Sequence, residues 1–171
     1  MINIKTPVKN FDLSKLNVGD VVSLSGTIVT ARDQAHKRML EENTPFEIKG
    51  SALFHAGPII KENNGKYDII AIGPTTSMRM NSYQADVIDK GVKIVIGKGG
   101  MDETVQDALK RNNAVYLVAT GGCAALYVNK VKEVLDVNWL DLGVPEALWE
   151  LSVEDFGPLV VGMDAKGNTL Y

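Results

Sequence analysis

The sequence predicts an α/β fold in which a mixed sheet carries helices along one side and parallel βα units fill its second half. Three observations lead there. Short apolar runs rich in β-branched residues recur at Tyr67–Ile72, Lys93–Ile96 and Ala114–Ala119, a composition suited to strands buried on both faces. Each run stops at a glycine-bearing loop: Gly73-Pro74-Thr75-Thr76, Gly97-Lys98-Gly99-Gly100 and Thr120-Gly121-Gly122. Each loop leads into a segment with helical spacing, while the earlier part of the chain is dominated by extended segments.

Taken in order, residues 1 to about 17 alternate weakly around Pro7 and read as an edge strand followed by a loop. Val18-Gly19-Asp20 is a turn into Val21–Thr30, where Val22 and Leu24 alternate with Ser23 and Ser25 and Gly26 marks a bulge or a change of sheet. Ala35, Met39 and Leu40 then share one helical face. Asn43-Thr44-Pro45 breaks the pattern before a strand over Lys49–Ala56, and Lys61–Lys66 is a polar turn or loop.

Pro74 removes a backbone donor and turns Gly73 away from helical geometry, so the Tyr67–Ile72 strand ends there. Its helix runs through Ser82–Lys90, with Tyr83, Val87 and Ile88 inward and Gly91 as the stop. The second helix lies near Asp102–Arg111, acidic at its start and basic at its end, as the helix dipole favours. The third is expected from about Ala124 to Val134, followed by a last strand at Leu159–Val161 and a turn at Asp164–Asn168. Trp139, Trp149 and the thiol of Cys123 read as packing residues. Right-handed crossovers place the loops after successive parallel strands on one sheet edge, where ligands of open α/β sheets bind. The Thr75 and Lys98 loops are therefore expected to be neighbours, with the Gly121-Gly122 loop beside them.

The chain's 171 residues suit one domain, residues 1–171, with a substantial core. A net charge of −3 and the lack of a basic tract argue against a nucleic-acid partner. No apolar run is long enough to span a membrane, and the N-terminus lacks the apolar core of a secretory signal. One cysteine excludes an internal disulfide, suits a reducing cytoplasm, and is too few for an iron–sulfur cluster held by several thiolates. The spacing of His36 and His55 offers no metal-ligand set, and both read as hydrogen-bonded structural residues. There is no phosphate-loop or dinucleotide fingerprint.

Gly73-Pro74-Thr75-Thr76-Ser77-Met78-Arg79-Met80 resembles the Gly-Pro-Thr-Thr-x-x-Arg-Met segment of the iron–sulfur hydro-lyases, specifically class I fumarases and L-tartrate dehydratases. Thr30-Ala31-Arg32-Asp33-Gln34-Ala35-His36-Lys37-Arg38 resembles the same family's Thr-Ala-Arg-Asp-x-Ala-His-x-Arg segment, and Lys98-Gly99 its Lys-Gly segment. The resemblance extends from about Val18 to Val161 and fits the separate β subunit of split family members. It implies a three-layer β/β/α swivelling-type domain and a hydro-lyase acting on a C4 dicarboxylate. Fumarate to malate is the first expectation and L-tartrate the alternative. It assigns proton transfer to Thr75 and substrate contacts to Arg32, Arg79 and Lys98, with Thr76, Asp33 and His36 in supporting positions. It also implies a cytoplasmic, higher-order heteromer in which a cysteine-rich α subunit carries a 4Fe–4S cluster and this chain ligates no metal. Asn81 stands where many relatives have aspartate.

The chemistry is consistent with the residue types. Arginine offers a planar fork for a carboxylate and lysine a compact charge, so three cations from separate segments can hold an extended dianion. A threonine hydroxyl needs an activating neighbour, which this chain does not obviously supply. Two other classes remain open on the residues alone: a flavodoxin-like small-molecule binding module using the same glycine loops, and a purely structural subunit.

Overall fold

A computed structural model of the chain describes residues 1–120 and 124–171. In chain order these form β1 (Ile2–Thr6), β2 (Val21–Thr30), α1 (Asp33–Glu41), β3 (Ala52–Phe54), β4 (Ile59–Asn63) and β5 (Lys66–Ala71). There follow α2 (Gln84–Asp89), β6 (Ile94–Gly97), α3 (Glu103–Arg111), β7 (Val115–Ala119), α4 (Ala124–Val128), β8 (Val131–Asn138) and β9 (Leu148–Met163).

Seven strands make one mixed sheet in the order β1-β2-β3-β6-β7-β9-β8. Pairing is parallel from β1 to β7 and antiparallel wherever β9 takes part. The length of β9, 16 residues, decides the shape. Its first half lies between β8 and the Gly26–Thr30 part of β2, and its second half between β7 and the start of β2. Strands β2, β3, β6, β7 and β9 therefore close into a circuit. The register of β2 on β9 shifts on either side of Leu24, the bulge expected near Gly26.

Side chains alternate across a strand, so each strand of the circuit feeds two cores. Ile28, Phe54, Ile94, Ile96, Val115, Leu117, Phe156 and Val161 are buried on one face, where Phe54 meets Phe156 edge-on at 5.4 Å. Val29, Leu53, Val95, Tyr116 and Met163 are buried on the other, against Ala35 and Met39 of α1, Val87 and Ile88 of α2, and Val105 and Leu109 of α3. The Asp102 carboxylate caps α3 by accepting from the Val105 N–H at 3.2 Å. Arg111 clamps α3 to α2 through a two-pronged bond to Asp89, at 2.8 and 2.6 Å. No helix among the described residues is long and apolar enough to cross a membrane.

Three expectations are corrected, one of them the polar stretch Lys61–Lys66, of which only Asn64-Gly65 is a turn, because Lys61–Asn63 belongs to β4 and Lys66 opens β5. The Tyr67–Ile72 run is not a strand of the parallel sheet: β5 pairs antiparallel with β4 as a separate two-stranded hairpin. Tyr67 and Ile69 face the core while Asp68 and Ile70 face outward, so the run is a half-exposed strand. The hairpin signal was Asn64-Gly65, both at positive φ (52° and 79°), as a tight two-residue turn requires. The third helix stops at Val128 instead of Val134, because Val131–Asn138 form β8 along β9. Val131, Val134 and Val137 recur at a spacing that also fits a helix, but their β-branched character serves a strand. The Gly121-Gly122 loop and Cys123 lie outside the described residues.

The two apolar runs differ in consequence. Ile96→Ala, in a fully buried position, is expected to cost about 2–5 kcal/mol. Ile70→Ala, 54% exposed, is expected to stay within about 0.5 kcal/mol. Urea unfolding of the two variants checks this, and equal losses would contradict the hairpin assignment.

Candidate functional site

Strands β2, β3 and β6 run parallel, so their C-terminal ends share one edge, and the three motif segments meet there. The Gly73–Met80 segment arrives from β5 and wedges between the chain leaving β3 and the chain leaving β6. Pro74 bridges antiparallel to Ala56, and Thr76 bridges parallel to Lys98. The Thr75 N–H donates to the His55 carbonyl at 2.7 Å, and the Ser77 N–H to the Lys98 carbonyl at 3.1 Å. The Thr75 and Lys98 loops are thus neighbours through direct backbone bonding, not through two consecutive parallel strands.

Beyond the wedge the chain turns into a 3-10 helix over Ser77–Met80, with Thr76 at its N-cap making no side-chain capping bond. Thr75 and Thr76 are half-buried, while Arg79 and Lys98 are exposed. Among the described residues, the side chains of these four have no hydrogen-bond or ion-pair partner. Their polar atoms are available to a ligand.

Arg32 leaves the end of β2 and forms the N-cap residue of α1. Its guanidinium forms an ion pair with Glu146, Nε to Oε1 at 3.5 Å, although Nε is buried without a hydrogen bond, and Glu146 accepts from the Gln34 N–H at 3.2 Å. Asp33 opens α1, where the helix dipole favours a negative charge, and its Oδ1 is buried without a hydrogen-bond partner. The backbone therefore pairs Thr76 with Lys98, sets Thr75 beside them on the His55 carbonyl, and places Arg79 within the following turn. Arg32 and Asp33 reach the same edge on a different strand.

Beneath these segments lies a fully buried set of polar side chains that the sequence reading did not assemble. His36, on α1, has Nδ1 2.9 Å from the Arg32 carbonyl and Nε2 2.9 Å from the side-chain amide of Gln84 on α2. His55, just after β3, has Nε2 2.5 Å from the same amide and Nδ1 2.7 Å from Ser77 Oγ. The two imidazoles meet edge-on at 5.2 Å. Ser77 Oγ also accepts from the Lys98 N–H at 3.1 Å and lies 2.9 Å from Tyr116 Oη, which donates to the Gly99 carbonyl at 2.7 Å. A Cβ on Gly97 would stand 1.7 Å from Ser77 Oγ and 2.8 Å from His55 Nδ1, so the set fits only because residue 97 lacks a side chain.

Burial dominates the electrostatics of this set. It lowers the pKa of His36, and it lowers that of His55 to about 3, with the neighbouring His36 adding to the effect. It also raises the Tyr116 phenol above its ordinary range. All three side chains are neutral at pH 7.

A family model described as "Fumarase C-terminus" matches residues 1–171. The chain belongs to the fumarase C-terminus family. It is 44% identical over 170 residues to the L(+)-tartrate dehydratase subunit beta of Escherichia coli (strain K12), covering 98% of this chain and 85% of that protein. It is 47% identical over 167 residues to a protein provisionally named L(+)-tartrate dehydratase subunit beta in Methanocaldococcus jannaschii, covering 94% and 86% respectively. A third relative, provisionally named fumarate hydratase class I, is from Geobacillus stearothermophilus. It is 41% identical over 173 residues, which span all of this chain and 34% of that longer protein.

Iron–sulfur clusters are held by several thiolates. The chain has one cysteine, and among the described residues no three His, Cys, Asp or Glu side chains converge on a common point. The described residues of this family member do not fit such a cluster. Gln84, Ser77 and Tyr116 were missed because each sits within an apolar pattern or a run of hydroxyls. A signal was present for Gln84, whose spacing from Val87 and Ile88 puts a polar residue on the buried face of α2.

The buried histidines set a pH dependence. In the unfolded chain histidine takes up a proton near pH 6.5, whereas folded His55 resists protonation down to about 3. The unfolded state binds more protons throughout that window, so stability falls as pH falls. Between pH 7.5 and 5.0 the loss is expected to reach about 2 kcal/mol from His55, with His36 acting in the same direction. Glu150, whose carboxyl is raised by burial, works in the opposite direction near its own range. Denaturant midpoints across this interval check the sign, and a midpoint that holds or rises on acidification would contradict it.

Proposed function

We propose that this chain is the β subunit of a hydro-lyase that interconverts a C4 dicarboxylate and its hydrated form, with fumarate and malate as the pair. The observation that supports it most directly is the bonding of the Thr75–Arg79 segment to Lys98 at the sheet edge where Arg32 emerges. That arrangement offers three cations and a hydroxyl without side-chain partners of its own at Thr75, Arg79 and Lys98. The hydro-lyase class follows from the names of the family relatives.

In this reading Arg79 and Arg32 fork onto the substrate carboxylates and Lys98 adds a compact charge, holding the dianion at separate points. Fixed orientation accounts for a large share of rate enhancement. Thr75 Oγ1 moves the proton at the carbon next to a carboxylate, with Thr76, Asp33 and His36 in support. The partner is an α subunit, as the "subunit beta" names of the relatives suggest, and it carries the 4Fe–4S cluster that the described residues of this chain do not fit. The chain forms one β/β/α domain of the swivelling type, consistent with its closed mixed sheet and its helices on one face, and it works in the cytoplasm. A tartrate substrate is the second reading, favoured by the two relatives of similar length named for L(+)-tartrate.

Co-expression with a cysteine-rich α subunit and assay of fumarate, malate and L-tartrate tests the reading. Thr75→Ala is expected to lower turnover about 10²–10⁴-fold with folding and assembly intact, and Thr76→Ala by far less. Arg79→Lys is expected to cost about 1–3 kcal/mol in kcat/KM through loss of the paired geometry. A complex inactive on all three acids, or a Thr75→Ala complex with normal turnover, would overturn it.

A further inference from the structure

The buried polar set beneath the loops has a direction, and two independent lines of reasoning fix it. The first begins at His36. A neutral imidazole has one N–H and one bare nitrogen. His36 Nδ1 faces the Arg32 carbonyl at 2.9 Å, which can only accept, so the hydrogen is on Nδ1 and Nε2 is bare. A bare Nε2 needs a donor, and the group 2.9 Å away is one end of the Gln84 amide. With Oε1 at that end, two acceptors would oppose each other while Gln84 Nε2, buried on the far side, has no partner. Turning the planar amide over places its NH2 group between the rings, with one hydrogen for each Nε2. The amide carbonyl then takes the unpartnered side, where an acceptor is less costly to leave unmet than a donor group.

The second line begins at the opposite end. Tyr116 spends its only hydrogen on the Gly99 carbonyl at 2.7 Å, so Tyr116 Oη accepts from the Ser77 hydroxyl. Ser77 Oγ then has two lone pairs, filled by the Lys98 N–H at 3.1 Å and by His55 Nδ1–H at 2.7 Å. That leaves His55 Nε2 bare, 2.5 Å from the same amide. Both ends require a donor at one point.

We infer that Gln84 is a positioning residue, its NH2 group donating to Nε2 of both His36 and His55, so that two hydrogen-bond arms run outward from it, one through His36 to the Arg32 carbonyl and one through His55, Ser77 and Tyr116 to the Gly99 carbonyl. Together the arms touch the backbone of Arg32, Lys98 and Gly99 and the side chain of Ser77, which sits two residues from both Thr75 and Arg79. They thereby set the spacing between all three segments that carry the proposed substrate cations. Burial, which holds both imidazoles uncharged at neutral pH, keeps the direction from reversing. The link to substrate rests on the hydro-lyase reading above, but the hydrogen-bond direction does not.

The test uses the ring nitrogens of the intact chain, which contains two histidines and therefore gives two imidazole spin systems. Long-range 1H–15N correlation at pH 7 is expected to show both as the Nδ1–H tautomer. Either ring found as the Nε2–H tautomer or doubly protonated overturns the assignment. Gln84→Glu supplies the second measurement, since a carboxyl keeps the shape but holds at most one hydrogen and so cannot donate to both Nε2 atoms. Amide hydrogen exchange at Thr75, Ser77 and Lys98 is expected to speed up at least tenfold in Gln84→Glu, and unchanged exchange overturns the positioning role. In the active complex the same variant should raise KM for the dicarboxylate at least tenfold, with a smaller effect on kcat. An unaltered KM beside an active wild type overturns the link to substrate. An inactive wild type counts against the hydro-lyase reading alone, because tautomer and exchange are read on the chain by itself.

Discussion

Everything at the candidate site depends on a space that Gly97 leaves empty. Ser77 Oγ occupies nearly the position that a Cβ on residue 97 would take, 1.7 Å away, and from there it binds His55, Tyr116 and the Lys98 backbone together. A buried hydroxyl with three partners is stable only when all are present, since each unmet polar group costs about 1–3 kcal/mol in the interior. The end of β6 therefore cannot tolerate a side chain, and the Gly73–Met80 segment cannot shift without breaking bonds to two other loops.

The circuit of strands supplies the rigid edge on which this happens. Because β9 pairs with both β2 and β7, the C-terminal ends of β2, β3 and β6 are held in fixed register. Below that edge the buried polar groups bond to one another, with one end of the Gln84 amide left over; above it, Thr75, Arg79 and Lys98 are left without side-chain partners among the described residues. Such a division agrees with the function proposed above, in which the cations of this edge hold a dianion.

Much of this was legible in the sequence, for identifiable reasons. β6 and α3 follow from a continuous apolar run, a glycine loop and an acidic helix start with a basic end. The neighbouring of the Thr75 and Lys98 loops was legible too, although its cause was not: the wedge between β3 and β6 depends on long-range backbone bonds that leave no local pattern. β5 misled because Tyr67–Ile72 is apolar enough for a buried strand, and only the Asn64-Gly65 turn reveals the hairpin. β8 misled because the valine spacing at 131, 134 and 137 fits either element. The buried chain of His36, Gln84, His55, Ser77 and Tyr116 draws on five separate segments, and nothing short of tertiary contact joins them.

The central claim is that these five side chains act as one unit. A double-mutant cycle tests it most directly, combining Gln84→Met and Tyr116→Phe, two residues with Ser77 and His55 between them. Independent sites add within about 0.3–0.5 kcal/mol, whereas members of one network couple by about 0.5–3 kcal/mol. Unfolding free energies at pH 7 for the wild type, both single variants and the double variant are expected to give a coupling in the upper of those ranges. Additive losses would mean that the two ends of the chain do not communicate.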